Sequence, residues 1–154
     1  MEIGDVVEEF ELLNDEGESV SLTELLAHGP VVLFFYPAAM TKGCTAESCH
    51  FRDLRGEFAA LGATPVGVSM DSVEKQRAFS NLHGFGFPLL ADTAGVVATQ
   101  FGVRRKFLTL LPVRRSTFVI GTDRRVIGVV RSEVHMDEHA DRALEILRSV
   151  AASN

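Results

Sequence analysis

Val31-Val32-Leu33-Phe34-Phe35-Tyr36-Pro37-Ala38-Ala39-Met40-Thr41-Lys42-Gly43-Cys44-Thr45-Ala46-Glu47-Ser48-Cys49 runs from an unbroken apolar stretch to the second of the two cysteines. Residues 31–36 are β-branched, aromatic or leucine, the composition of a strand covered on both faces. Pro37 ends the strand. Beyond Thr41 the spacing turns helical: Phe51, Leu54, Phe58 and Leu61 stand three and four apart, and counting back seven from Phe51 reaches Cys44. A thiol is thereby placed at a helix N-terminus, where unpaired backbone N–H groups and the positive end of the helix dipole favour thiolate over thiol. Cys44 is the candidate nucleophile, and Cys49 its candidate disulfide partner.

Working outward, residues 6–13 read as a strand, 14–17 as a turn, 19–21 as a returning strand and 22–28 as a short helix closed by Gly29-Pro30. After the motif, Gly62 stops the helix, 64–70 reads as a second buried strand, 72–83 as a helix and 87–90 as a short strand. Residues 96–101 read as a helix ended by Gly102, 116–120 and 126–131 as a hairpin, and 139–150 as a closing amphipathic helix. This is the thioredoxin-like order. It predicts an α/β fold with a central mixed sheet, helices on both faces and an N-terminal β-hairpin extension.

At 154 residues, with no repeat, low-complexity tract or linker, the chain is expected to form one domain over 1–154 that buries a core without disulfide staples. Its 46% hydrophobic and 23% charged residues match a globular protein, and no apolar stretch is long enough to span a membrane. The amino terminus lacks a basic start and an apolar h-region, so a reducing, cytoplasmic location is expected, where two cysteines suggest catalysis rather than stapling. A net charge of −6 argues against nucleic acid, although Arg104-Arg105-Lys106 and Arg114-Arg115 form a local basic cluster.

The spacing of the cysteines carries a mechanism. Five residues at about 100° each rotate Cys49 roughly 140° from the apolar stripe, onto a face with Thr45, Arg52, Asp53 and Gly56. Burial alone explains such a cysteine poorly. On an intact helix, Cα atoms five apart are separated by roughly 8.5 Å, whereas a disulfide needs less than about 7 Å. The first turns must therefore unwind before the pair can join. The reading is that Cys44 is oxidised to a sulfenic acid and that local unfolding brings Cys49 to it. Zinc held by Cys44, Cys49, His50 and His135 or His139 lacks ligand-pair spacing, haem attachment needs two residues between its cysteines, and a thioredoxin-type exchanger needs C-x-x-C.

Pro37-x-x-x-Thr41-x-x-Cys44, followed by Thr45, Glu47 and Cys49, resembles the peroxiredoxins, and the five-residue cysteine spacing resembles their Q subgroup, also called bacterioferritin comigratory protein. The resemblance extends to Phe51-Arg52-Asp53, Phe87-Pro88-Leu89-Leu90-Ala91-Asp92, Phe101-Gly102-Val103 and Arg115-Ser116-Thr117-Phe118-Val119-Ile120. It implies that Cys44 attacks the distal peroxide oxygen, that Cys49 resolves the product, and that Pro37, Thr41 and Arg115 complete the site. Thr41 would accept from the peroxide while donating to sulfur, Pro37 would shield the thiolate, and Arg115 would supply a fixed cation. Strand alternation sends Arg114 and Arg115 to opposite faces, and the resemblance implies Arg115, which stands immediately before Ser116-Thr117-Phe118. Glu47 would orient Arg115 or the nearby backbone.

The family resemblance thus implies a peroxidase for hydrogen peroxide and organic hydroperoxides, without metal, haem or flavin, recycled by thioredoxin or a similar dithiol, and monomeric. A redox-sensing binding protein and a protein thiol-disulfide oxidoreductase are the alternatives. Two departures from the family pattern stand out: Gly121 replaces a frequent aspartate in a turn without an apical glycine, and the stretch 104–113, with Phe107, Leu108, Leu110 and Leu111, is free to line the entrance, mask the core or self-associate.

Overall fold

A computed structural model describes residues 1–105 and 112–153. Seven strands form one sheet in the order β2-β1-β5-β4-β3-β6-β7. They are β1 (Glu11–Asn14), β2 (Ser19–Ser21), β3 (Val31–Phe35), β4 (Thr64–Ser69), β5 (Leu89–Ala91), β6 (Ser116–Ile120) and β7 (Val126–Arg131). The helices are α1 (Leu22–Leu26), α2 (Lys42–Asp53), α3 (Arg55–Ala60), α4 (Val73–His83), α5 (Val96–Gln100) and α6 (Glu138–Ser153). β3, β4 and β5 run parallel, while β6, β7 and the β1–β2 hairpin join antiparallel. The predicted mixed sheet with an N-terminal hairpin is what forms.

The continuous apolar run of β3 explains its central place, because every residue from Val31 to Tyr36 is fully buried. Alternation divides it between two cores. Val31, Leu33 and Phe35 pack with Val66, Val68, Phe101 and Phe118 beneath α1 and α5. Val32, Phe34 and Tyr36 pack with Phe51, Phe58, Phe79 and Leu144 beneath α2, α3, α4 and α6. Caps follow local chemistry: Ser72 accepts from the Lys75 N–H to open α4, and Gly84, at φ +57°, closes it in the left-handed conformation that glycine tolerates.

Two expectations are corrected. The strand expected over 6–13 pairs only from Glu11, because the earlier residues dock elsewhere: the Val7 N–H donates to the Arg124 carbonyl and the Val126 N–H to that of Asp5. The single helix expected to run up to Gly62 is two, broken at Leu54 (φ −98°, ψ 4°), and Arg55 beyond the break donates to the Gly84 and Phe85 carbonyls. In the β6–β7 turn Arg124, at φ +68°, takes the position where a glycine was missed, and its N–H donates to the Gly121 carbonyl. Phe107, Leu108, Leu110 and Leu111 lie outside the described residues.

Candidate active site

Register brings the site together at the end of β3. Phe35 pairs with Ser116 and Ser116 with Arg131, so the entry to β6 and the exit from β7 both meet the start of α2. Asp71 pins the loop between β3 and α2, accepting from the Ala39 N–H at 2.7 Å and from the Ser69 hydroxyl at 2.7 Å. Met40 then turns the chain at φ +70°, costly for a side chain of its size, and Thr41 becomes the first cap of α2. The Thr45 N–H donates to the Thr41 carbonyl at 2.9 Å, which closes the first turn around Cys44.

Cys44 is fully buried, yet a cation lies beside it. Arg115 Nη2 donates to Cys44 Sγ at 3.2 Å, and Nη1 donates to Glu47 Oε1 at 3.1 Å. One guanidinium thus bridges two groups a helical turn apart, which the fork of arginine allows and a lysine ammonium does not. Alternation sorts the neighbouring arginines as expected, with Arg114 exposed and Arg115 buried. The Arg115 backbone is fixed as well, its N–H donating to Glu133 Oε1 at 3.1 Å.

Charge follows this geometry. Burial pushes the Glu47 carboxyl up to about 8, against the downward pull of Arg115. Burial would lower Arg115, but the charges of Glu47 and Cys44 outweigh it and hold the guanidinium above its ordinary value. Glu47 Oε2 and Ser48 Oγ are buried without a hydrogen-bond partner among the described residues.

Pro37 is buried just after β3 and Thr41 is exposed. The Thr41 hydroxyl donates to the Ala38 carbonyl at 2.7 Å, which corrects the expected donation to sulfur. Both cysteines are free thiols on one unbroken helix. Cys49 is half-buried and packs against the second core, and on the same face Arg52 reaches the His83 carbonyl at 2.8 Å, so this side of α2 is less open than the helical wheel implies.

Sequence reasoning missed Thr117, Ser132, Glu133, Met136 and the place of His139 beside Glu47. His139 was weighed only as a zinc ligand, but its ring nitrogens are engaged by Thr117 and Ser132. Met136 Sδ lies 3.5 Å from where a Cβ on Gly43 would sit, at the same helix start. No local pattern marks these residues, although Thr117 alternates with Arg115 along the chain and so shares its face of the sheet.

A thiol at a helix start, gripped by the arginine just before β6 of a thioredoxin-like sheet, fits a thiol-dependent peroxidase. The chain belongs to the AhpC/TSA family, whose model matches residues 3–129, and within it to the Q-type peroxiredoxins. It is similar to Peroxiredoxin Bcp of Bacillus subtilis (strain 168), 38% identical over 155 residues that cover 98% of each chain. The crystal structure of Peroxidoxin BcpB from Mycobacterium tuberculosis is 56% identical, with a TM-score of 0.94 over 97% of this chain and 98% of that one. The bacterioferritin comigratory protein of Xanthomonas campestris, studied for its alkyl peroxide reduction activity, is 33% identical, with a TM-score of 0.84 over 92% of each chain. As a peroxiredoxin, this protein takes a peroxide as substrate and a thiol as reductant.

Proposed function

We propose that Cys44 is the peroxidatic cysteine and Cys49 the resolving cysteine of a peroxidase acting on hydrogen peroxide and organic hydroperoxides. The observation that carries this is the Arg115 Nη2 to Cys44 Sγ hydrogen bond at 3.2 Å, which stabilises negative charge on the sulfur. The thiolate attacks the distal oxygen, the O–O bond breaks, and its electron pair leaves on the proximal oxygen, which takes a proton to become water or an alcohol. Thr41, its own hydrogen committed to Ala38, keeps lone pairs to accept the peroxide O–H. Pro37, buried and without an N–H, shields the sulfur, and Glu47 anchors the far side of the guanidinium.

The Cys44 sulfenic acid then condenses with the Cys49 thiol, forming the disulfide and releasing water. On intact α2 the Cα atoms of the pair stand roughly 8.5 Å apart, beyond the reach of a disulfide at about 7 Å. α2 therefore unwinds between them. Thioredoxin or a similar dithiol returns both thiols by exchange, itself becoming a disulfide. We place this cycle in a monomer, in a reducing compartment such as the cytoplasm, where free thiols persist.

Free-thiol counting before and after one equivalent of hydrogen peroxide tests the assignment. Loss of both thiols with a mapped Cys44–Cys49 link is expected in the wild type. Cys44→Ser should consume no peroxide, and Cys49→Ser should react once and then over-oxidise. Equal consumption by wild type and Cys44→Ser would overturn it.

A further inference from the structure

His139 is fully buried at the start of α6, and no step written above uses it. Its Nε2 lies 2.8 Å from the Ser132 carbonyl, which can only accept, so Nε2 carries the hydrogen. Nδ1 is then a lone pair, to which the Thr117 hydroxyl donates at 2.8 Å. Burial holds the ring below the ordinary imidazole value, so this single hydrogen is the one it has to give. The same Nε2 stands 3.4 Å from Glu47 Oε2, a packing contact outside hydrogen-bond geometry, so Oε2 stays without a hydrogen-bond partner among the described residues.

The charged groups around the ring are Arg115 before β6, Glu47 on α2, Glu133 before α6 and Glu138 on α6 itself. A path of contacts therefore runs from Thr117 through His139, Glu47 and Arg115 to Cys44. The ring thus backs Oε2 and leaves Oε1 turned toward Arg115.

We infer that His139 is a positioning residue of the peroxidatic centre: held in its Nε2–H form by Thr117 and Ser132, its ring backs the Glu47 carboxyl group and, through it, keeps the Arg115 guanidinium on Cys44. The inference rests on the reading of Cys44 as the attacking thiol and adds the support behind it.

Full-length His139→Ala, His139→Gln, Thr117→Val and Glu47→Gln variants, with the His139→Gln/Glu47→Gln double variant, test it by two measurements. One is the rate of the first reaction with hydrogen peroxide. The other is the pH midpoint of Cys44 alkylation by iodoacetamide in a Cys49→Ser background. Loss of the ring behind Glu47 lets the guanidinium shift from Cys44, which predicts a roughly tenfold slower peroxide reaction for His139→Ala and an upward midpoint. His139→Gln, which restores an N–H near Nε2, should recover most of that loss, and Thr117→Val should move both readouts the same way by less. In the Glu47→Gln background His139→Gln should add less than about a twofold change, because the two act as one unit. A folded His139→Ala with wild-type rate and midpoint, a Gln variant as slow as Ala, or additive effects would overturn the inference. If His139→Ala fails to fold, His139→Gln and Thr117→Val decide by the same readouts. A midpoint that moves with His139 in a protein that consumes no peroxide would overturn the site assignment and the peroxidatic role with it, whereas normal peroxide consumption with an unmoved midpoint would overturn the inference alone.

Discussion

Glu47 Oε1 lies 3.1 Å from Arg115 Nη1, and Glu47 stands between Cys44 and Cys49 on the helix that must open for those cysteines to join. The ion pair that completes the resting site is therefore a tie on the segment that moves. A second tie lies one residue beyond Cys49, where His50 Nε2 meets Asp141 Oδ1 of α6 at 2.7 Å. Opposing them are two buried polar atoms without partners in the same segment, Glu47 Oε2 and Ser48 Oγ, each of which water would satisfy on opening. Glu47 and His50 tie the resting helix, and the unpartnered atoms of Glu47 and Ser48 weaken the same stretch of it.

Arg115→Lys keeps the charge and loses the fork that reaches Sγ and Oε1 together. The reaction of Cys44 with peroxide is expected to slow by about 10²-fold, the scale on which a transition-state donor is lost. Arg115→Met also leaves the buried Glu47 carboxyl without its donor, which destabilises by about 1–3 kcal/mol. Stopped-flow peroxide kinetics check the first expectation and denaturant unfolding the second.

Burial pushes Glu47 up to about 8 from the ordinary 4.5, so between those values the folded helix holds a proton that the opened segment releases. Raising the pH across that window favours the opened form, and the stability of folded α2 is greatest below 4.5 and falls toward 8. Amide exchange across 44–49, corrected for intrinsic rates and referenced to α4, is expected to lose protection as the pH rises from about 5 to 8. Glu47→Gln should flatten that dependence, and a slope that persists in the variant would assign it to another group.

Phe51 marks where the opening stops. Its ring stacks on Phe34 with centroids 4.1 Å apart and lies 5.8 Å from Phe58, fully buried. In the oxidised protein, exchange protection should be lost over 44–49 and kept from 51 onward. Phe51→Ala is expected to destabilise the fold by about 3–5 kcal/mol and to extend the unprotected stretch into α3. Equal protection of 44–49 in both redox states would remove the unwinding step altogether.

What the chain reveals without coordinates follows the range of its physics. The six-residue apolar run sets β3, helical spacing places Cys44 and Phe51 on one face, and strand alternation sends Arg114 and Arg115 to opposite faces, all within a few residues. The contact from Thr117 to His139 crosses 22 residues and that from Glu47 to Arg115 crosses 68, and no periodicity encodes either. The break at Leu54 hides for a similar reason, since the carbonyls that Arg55 reaches belong to Gly84 and Phe85. The first residues read as a strand because their apolar pattern is real, but Val6 bridges to Arg125 rather than to β2.

Ser48→Ala separates the opening step from the chemistry. The Ser48 hydroxyl is buried without a partner on α2, so removing it relieves a desolvation penalty, and alanine is also the better helix former. A gain of about 1 kcal/mol in the folded helix slows opening roughly fivefold, since RT is about 0.59 kcal/mol. Ser48 is absent from the contacts around the sulfur, so the first reaction with peroxide should stay within about twofold of wild type on the scale of neutral substitutions. Disulfide formation should slow by the larger factor, and over-oxidation of Cys44 at high peroxide should rise with it, because the sulfenic acid waits longer for Cys49. Rapid-quench mass spectrometry resolves the thiol, sulfenic, disulfide and sulfinic forms. If disulfide formation kept its wild-type rate while α2 gained exchange protection, helix opening would not limit resolution, and the resolving step would have to proceed from a conformation that leaves the Ser48 turn intact.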